Sequence, residues 1–201
     1  MTILFQSALD TVTVGAVIAS YGSGVWGIYG HFLTKNKPEP AMKFTSLLSL
    51  GGLLWFLYDR WQRQTPGGTV GIVSDMVVLA LLAVSMSLFW WAIATTRQQR
   101  LTLAFSKDQP AFIHATGPYA WVRHPFYTSY ILFWIATAVA AAAWPIWLMP
   151  IVMTAIYWRA IRLEESKFAT SPISSDYEIY KRRTGMLFPR RMADRKFGAG
   201  T

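Results

Sequence analysis

Long runs of apolar residues, separated by short polar stretches, make up most of the chain. Thr11 to Leu33 and Met76 to Ala94 contain no Asp, Glu, Lys or Arg, and Phe44 to Tyr58 is a shorter run of the same kind. A helix rises about 1.5 Å per residue, so a run of roughly 20 residues crosses a bilayer, and a shorter run crosses it with local thinning. The pattern predicts a transmembrane helix in each of these three runs.

A fourth apolar run, Phe126 to Trp158, is too long for a single crossing. Pro145 lies near its middle, and proline removes a backbone donor and disfavours helix in the residue before it. We expect a helical hairpin that turns at Pro145, with Pro150 kinking the second leg; one long tilted helix is the alternative. The sequence therefore predicts an all-α, multi-pass membrane protein with five transmembrane helices, the last two a hairpin at Pro145.

The distribution of basic residues predicts the orientation. Lysine and arginine are dense after the first and third spans and after Trp158, whereas only Arg60 and Arg63, beside Asp59, follow the second span. The positive-inside rule then places the N-terminus outside and the C-terminus in the cytoplasm. The segment before the first span carries Asp10 and no basic residue, so we expect that span to be retained rather than cleaved as a signal peptide.

The composition agrees with a membrane protein. Of the 201 residues, 53% are hydrophobic and 14% are charged, whereas soluble domains keep roughly a quarter of their residues charged. The net charge of +9 fits basic cytoplasmic loops better than a nucleic-acid surface, so we expect no nucleic-acid partner. Because the chain has no cysteine, disulfides, thiolate metal sites and cysteine nucleophiles are excluded.

Two polar segments flank the predicted hairpin and should therefore meet at one membrane surface. The second segment contains Glu164 and Glu165, close to the interface, where an unpaired carboxylate is costly. Arg159 and Arg162 on the same predicted helix are at helical spacing to pair with them. These residues form either a surface ion pair or a ligand site, in which a carboxylate holds a cation and an arginine holds an anion.

The first polar segment contains the run G-P-Y-A-W-V-R-H-P-F-Y, residues 117–127, directly ahead of the hairpin. An apolar hairpin, the glutamate pair, two tyrosines (Tyr177 and Tyr180) and Pro189 follow in order. This combination resembles the signature of the isoprenylcysteine carboxyl methyltransferase family of integral membrane enzymes. The resemblance covers about residues 97–191, and the first two spans carry no recognisable family motif.

The resemblance implies transfer of a methyl group from S-adenosylmethionine to a lipophilic acceptor, through a cofactor pocket open to the cytoplasm. The catalytic residues that we expect are Arg162 and His124, with Arg162, or Arg159 in its place, binding the acceptor. A carboxylate acceptor needs no general base, whereas a thiol or an amine would need one, for which His124 or His114 is the candidate. The residues expected to bind the cofactor are Ala111, Phe112, Ile113, His114, Tyr119, His124, Pro125, Phe126, Tyr127 and Glu165.

We therefore expect a single membrane domain with a two-helix part (1–70), a catalytic part (71–191) and a tail (192–201). Its partners would be membrane lipids and a lipophilic or prenylated acceptor, without a metal. Phospholipid N-methyltransferases and thiol methyltransferases are the enzymatic alternatives. Sterol reductases have a related R-H-x-x-Y string but are longer, and a non-catalytic membrane scaffold is the alternative of another class. Binding of S-adenosylmethionine separates the methyltransferases from these last two.

Overall fold

The structure, a computed structural model, describes residues 2–31, 40–62, 68–99, 101, 112–141 and 143–190. Within these residues the fold is all-α, and two single turns of 3-10 helix, Gly117–Ala120 and Trp144–Trp147, join some of the longer helices. The tail that we predicted at residues 192–201 lies outside the described residues. The helices are α1 (Thr2–His31), α2 (Pro40–Gln62), α3 (Gly68–Thr96), α4 (Pro125–Ala140), α5 (Leu148–Ala169) and α6 (Ser174–Arg183).

Four helical segments are long and apolar enough to cross a membrane. The helix α4 is apolar as well, but its 16 residues reach only about 24 Å. The prediction of an all-α protein with several membrane-spanning helices is confirmed, whereas the prediction of five spans is not. The four segments are Ser7–His31, Pro40–Gln62, Gly71–Thr96 and Trp144–Ala169.

The long apolar run is interrupted between α4 and α5. The backbone becomes extended at Ala141, and the 3-10 turn that contains Pro145 leads into α5. Pro150 lies in the first turn of α5, where backbone N–H groups have no intrahelical acceptor, so it removes no helical hydrogen bond. The two helices are antiparallel neighbours, since the Trp134 indole Nε1 donates a hydrogen bond of 3.2 Å to the Tyr157 hydroxyl.

The helix α3 is the central element, with α1 and α4 packed against it. The Trp90 indole donates to the Ser23 hydroxyl of α1 at 3.0 Å, and the Ser85 hydroxyl donates to the Ser129 carbonyl of α4 at 2.7 Å. Small side chains and hydroxyls at these contacts allow helices to approach closely without leaving polar groups unpaired in an apolar environment. Large apolar side chains cover the outer faces of the bundle, as expected for surfaces in lipid, among them Val12, Trp26, Leu47, Leu54, Trp61, Val73, Val84 and Ile151.

A buried ion cluster ties together the helix ends farthest from the residue 117–127 run. The Arg60 side chain, on the last turn of α2, is only 7% exposed and forms ion pairs with Asp10 of α1 and Asp75 of α3. Its Nη1 also donates to the Ala140 carbonyl at the end of α4, at 2.7 Å. The apolar pattern predicts Arg60 in a loop after the second span, but the structure places it inside α2. Two carboxylates and a helix-terminal carbonyl compensate its burial there.

Candidate active site

The residue 117–127 run forms a compact turn against the end of α3. Gly117 has φ +57°, a conformation that favours glycine, and a side chain there would collide with Thr95. Pro118 and Tyr119 are buried in the 3-10 turn that follows, and Pro125 begins α4. Proline at the start of a helix loses no hydrogen bond, since the first backbone N–H groups have no intrahelical acceptor.

The chain after α6 returns to this run and fixes its second half. The backbone N–H of Arg123 donates to the Gly185 carbonyl at 2.8 Å, and that of His124 donates to the Met186 carbonyl at 3.2 Å. The Thr128 hydroxyl donates to the Leu187 carbonyl at 2.9 Å. Segments on either side of the hairpin are therefore joined in space, as the sequence predicts.

Glu165 of α5 lies at the centre of the charged groups, with its side chain 6% exposed. Its Oε1 accepts from Arg123 Nε at 2.9 Å and lies 2.9 Å from Arg123 Nη2, so the guanidinium engages it through two nitrogens. His124 Nε2 lies 3.3 Å from the same oxygen. Glu165 Oε2 is buried and accepts no hydrogen bond of normal geometry among the described residues, although Lys181 Nζ lies 3.9 Å from it and the Tyr177 phenol lies close enough to Glu165 for the carboxylate to raise the phenol pKa.

His124 lies between the two glutamates. Its Nδ1 is 3.4 Å from Glu164 Oε2, and the other Glu164 oxygen accepts a hydrogen bond of 2.7 Å from the Tyr127 hydroxyl. Burial alone would lower the pKa of His124, but its hydrogen bonds and charge interactions with Glu164 and Glu165 outweigh burial and raise that pKa above its usual value. The imidazolium form is therefore stabilised at this position.

Tyr119 places a phenol beside the charged groups. Its hydroxyl is buried and has no hydrogen-bond partner among the described residues, and its carbonyl accepts from the Tyr180 hydroxyl at 2.7 Å. Burial, followed by the charge of Glu164, raises the pKa of the Tyr119 phenol well above its usual value. Burial also raises the pKa of Tyr177 and of Tyr180, so all three phenols stay protonated donors at neutral pH.

His114 stands at the edge of this group, with its ring 5.5 Å from the ring of Tyr119. Its Nε2 lies 2.9 Å from the Gln99 carbonyl, which can only accept, so Nε2 carries a proton. Burial lowers the pKa of His114, and the hydrogen bond to Gln99 offsets part of that effect. His114 is therefore the more readily neutral histidine of the two.

The structure brings most of the predicted cofactor residues together. His124 and Tyr127 contact the glutamate pair to which Glu165 belongs, and Tyr119 lies near enough for the charge of Glu164 to raise the pKa of its phenol. Pro125 is buried at the start of α4. The Phe112 and His114 rings are in contact, with centroids 5.0 Å apart, and Ile113 is half-buried. Phe126 packs against Phe89 of α3. Ala111 lies outside the described residues.

The predicted arginines of α5 do not pair with the glutamates among the described residues. Arg159 and Arg162 are exposed, and the buried Glu165 pairs with Arg123 and His124 instead. Helical spacing brings side chains onto neighbouring positions of one helix, but the carboxylate points into the bundle, where only a side chain from another segment can reach it. An interpretation of Arg159 or Arg162 as the ion-pair partner of Glu165 is therefore wrong.

Sequence reasoning did not select Arg123, Glu164 or Lys181 as site residues. Arg123 directly precedes His124, and its position in the R-H-P run was the available signal. Glu164 was visible only as one half of the glutamate pair, and Lys181 only as one basic residue among several in α6. Among the described residues, no group of three or more His, Asp or Glu side chains is arranged to hold a metal ion.

Part of the chain matches the model of a known protein family. Residues 73–171 match the model of the phospholipid methyltransferase family. The match begins in α3 and ends just after α5, so it includes Arg123, His124 and both glutamates and leaves out α1, α2 and α6. No curated protein matches the chain. Just under half of this chain is therefore similar to phospholipid methyltransferases, a match that supports a membrane-bound methyltransferase and leaves its acceptor open.

Proposed function

We propose that this protein transfers a methyl group from S-adenosylmethionine to a lipophilic acceptor at the membrane interface. The observation that carries the proposal is the convergence of Glu164, Glu165, His124 and Tyr119 at one end of the helix bundle. The match to phospholipid methyltransferases covers the helices that supply the two glutamates and the histidine. Apolar helices on either side would present a lipid-soluble acceptor to the same end of the bundle.

The residues of this site fit the polar groups of S-adenosylmethionine. Glu165 Oε2 and the Tyr119 hydroxyl are both buried without a hydrogen-bond partner among the described residues. Leaving such atoms unpaired costs roughly 1–3 kcal/mol each, so a ligand that pairs with them gains affinity. Glu165 would hold the ammonium group of the cofactor, and Tyr119 would donate to one of its oxygen acceptors. When bound, the sulfonium supplies the methyl group.

A dry site suits this reaction when the acceptor is a carboxylate. The negative acceptor and the positive sulfonium lose their charges together, so excluding water does not penalise the transition state as it would in a reaction that forms ions. The chain would contribute mainly positioning. Arg123 fixes Glu165, and the Tyr127 hydroxyl fixes Glu164. Arg162, exposed three residues before Glu165, is our candidate for binding the acceptor carboxylate, with Arg159 as the alternative.

The protonation state of His124 supports a carboxyl acceptor, such as that of an isoprenylcysteine. Its raised pKa stabilises the imidazolium, which is a poor proton acceptor. A carboxylate needs no proton acceptor. Phospholipid N-methylation is the second candidate, and the family match supports it directly. An amine acceptor must lose a proton, for which Glu164 and the neutral His114 are the available groups.

Equilibrium binding of S-adenosylmethionine to the purified protein in detergent tests the methyltransferase proposal. We expect saturable binding and no binding of NADPH. Neither a scaffold nor a reductase gives that pair of results, and a chain without affinity for S-adenosylmethionine refutes the proposal.

A labelled-methyl assay identifies the acceptor class. Prenylcysteine analogues and phospholipid extracts serve as parallel substrates, and each labelled product is treated with base. A methyl ester releases labelled methanol, whereas an N-methyl group is stable. We expect base-labile label from the prenylcysteine arm; base-stable label from the phospholipid arm assigns N-methylation instead.

A further inference from the structure

The helix α1 forms part of the wall behind the candidate active site, although the family match leaves it out. At Gly27 the helix comes so close to α3 that a side chain would collide with the Phe89 ring. A Cβ atom at residue 27 would lie 2.6 Å from Phe89 Cε1. Phe89 in turn contacts the Phe126 ring edge to face, with centroids 5.5 Å apart. A buried cluster of Phe89, Ala92, Tyr119 and Phe126 thus joins α3 and the residue 117–127 run, and α1 covers it.

The last residue of α1, His31, is buried in this wall, with 5% of its surface exposed. Its Nε2 lies 2.7 Å from the hydroxyl of Thr96, which is the last residue of α3. The single Thr96 hydroxyl proton is directed at the Ala92 carbonyl, 2.8 Å away. Thr96 must therefore accept from His31, so Nε2 of His31 is the donor.

The end of α3 that is hydrogen-bonded to His31 also packs against the turn that contains Tyr119. Gly117 packs directly against Thr95, so the turn that carries Tyr119 rests on the last residues of α3. The Thr96 side chain also lies close to the Tyr119 phenol. The His31 ring is also 6.1 Å from the Phe126 ring, next to the start of α4.

We propose that His31 is a positioning residue for the cofactor site, acting on Tyr119 through its hydrogen bond to Thr96. This inference rests on the proposed function, since Tyr119 is the residue that we expect to donate to the cofactor. It gives α1 a role that the family match does not assign. Without the donor at residue 31, the end of α3 and the Tyr119 turn lose one buried constraint, while the glutamates keep their own ion pairs.

Hydrogen exchange of the protein without cofactor tests this directly. In H31A we expect amides of residues 117–127 to exchange about five-fold faster, the effect of one net hydrogen bond on local opening. H31F should behave like H31A, because it keeps a ring without a donor, and H31Q should restore wild-type protection, because its amide donates. S23A is the matched control, since it removes another hydrogen bond between α1 and α3, the one from Trp90 at 3.0 Å.

Enzyme kinetics give the second measurement. We expect H31A and H31F to raise KM for S-adenosylmethionine about five-fold with kcat changed less than two-fold, and H31Q and S23A to stay near wild type. Equal protection of residues 117–127 in H31F and H31Q overturns the inference, as does a loss of kcat with KM unchanged. If H31A does not fold, the comparison of H31F with H31Q decides the question. A wild-type protein without affinity for S-adenosylmethionine refutes the proposed function, and the exchange measurement still decides whether His31 positions the turn.

Discussion

Within the part of the chain that the structure describes, one arginine is buried at each end of the helix bundle, and the two arginines have different surroundings. The side chains of Arg60 and Arg123 are each 7% exposed, and each has a carboxylate partner from another segment. Arg60 has two such partners, Asp10 and Asp75, on two different helices. Arg123 has one, Glu165, which it shares with His124 and Lys181.

The difference separates an ion cluster that holds helices together from one that can receive a ligand. At Arg60 the positive charge is matched by two carboxylates, and the atom without a hydrogen bond among the described residues, Nε, is a donor on that same cation. At Arg123 the atom without such a bond in the same part of the chain is Glu165 Oε2, an acceptor beside the half-exposed Lys181. Buried ion pairs add little net stability, but removing one partner is costly, so each cluster has its own expected response to mutation.

The largest effect should follow from Arg60→Met. This change leaves the Asp75 carboxylate, whose side chain is 5% exposed, without its cationic partner. The free energy of unfolding should therefore fall by about 3 kcal/mol. Denaturant unfolding in detergent measures this, with Lys43→Met, an exposed residue on the same helix, as the control. The folded fraction should keep its affinity for S-adenosylmethionine. The double variant R60M/D75L should recover part of the loss, and a loss in R60M no greater than in K43M contradicts a structural role for the cluster.

Glu165→Gln should reduce ligand binding, which Arg60→Met should leave unchanged. We expect affinity for S-adenosylmethionine to fall about 100-fold, since the amide loses the charge that would hold the cofactor ammonium, and hydrogen bonds to charged groups are worth roughly 1.5–3 kcal/mol. Calorimetric titration of the folded protein measures the affinity. Glu178→Gln, on α6 and 55% exposed beside Lys181, is the matched control and should bind like wild type. Unchanged affinity in E165Q would show that this carboxylate holds the protein together without touching the cofactor.

Local sequence patterns predicted the helices well and their ends less well. An apolar run long enough to span a bilayer is visible without tertiary information, which is why α1, α2 and α3 follow their predicted runs closely. The end of α4 could not be located in this way. Pro145 is the strongest local signal, yet the helix already stops at Ala140, five residues before the predicted turn at Pro145.

Ion pairs between residues far apart in the chain could not be predicted from local sequence patterns. Glu165 was expected to pair on its own helix, but its partner Arg123 is 42 residues away, and the choice depends on which way the carboxylate faces. The Arg60 cluster needs three charges from three helices, and no pattern within one helix connects them. The members of the residue 117–127 run are neighbours in sequence and in space, so the motif by itself places Tyr119, His124 and Tyr127 at the same end of the bundle.

The smallest effect is on the pH dependence of stability. The native pKa of His124 is raised, so its contribution to stability is complete below the unfolded value of about 6.5 and is lost as the pH rises through the native pKa. The native pKa of His114 is lowered, so its contribution is complete above about 6.5 and is lost as the pH falls through the native pKa. The two histidines should therefore impose opposite slopes on the same protein.

Melting temperatures of wild type, H124Q and H114Q measure these slopes. A range from about pH 5.5 to about pH 8.5 extends roughly one unit or more on each side of the ordinary histidine pKa. The difference between wild type and H124Q should shrink as the pH rises, and the difference between wild type and H114Q should grow. Because both variants replace a histidine near the same turn with glutamine, effects common to any substitution cancel in the comparison of signs. Slopes of the same sign would mean that the two glutamates do not hold His124 in its charged form, and that it remains available as a proton acceptor for an amine.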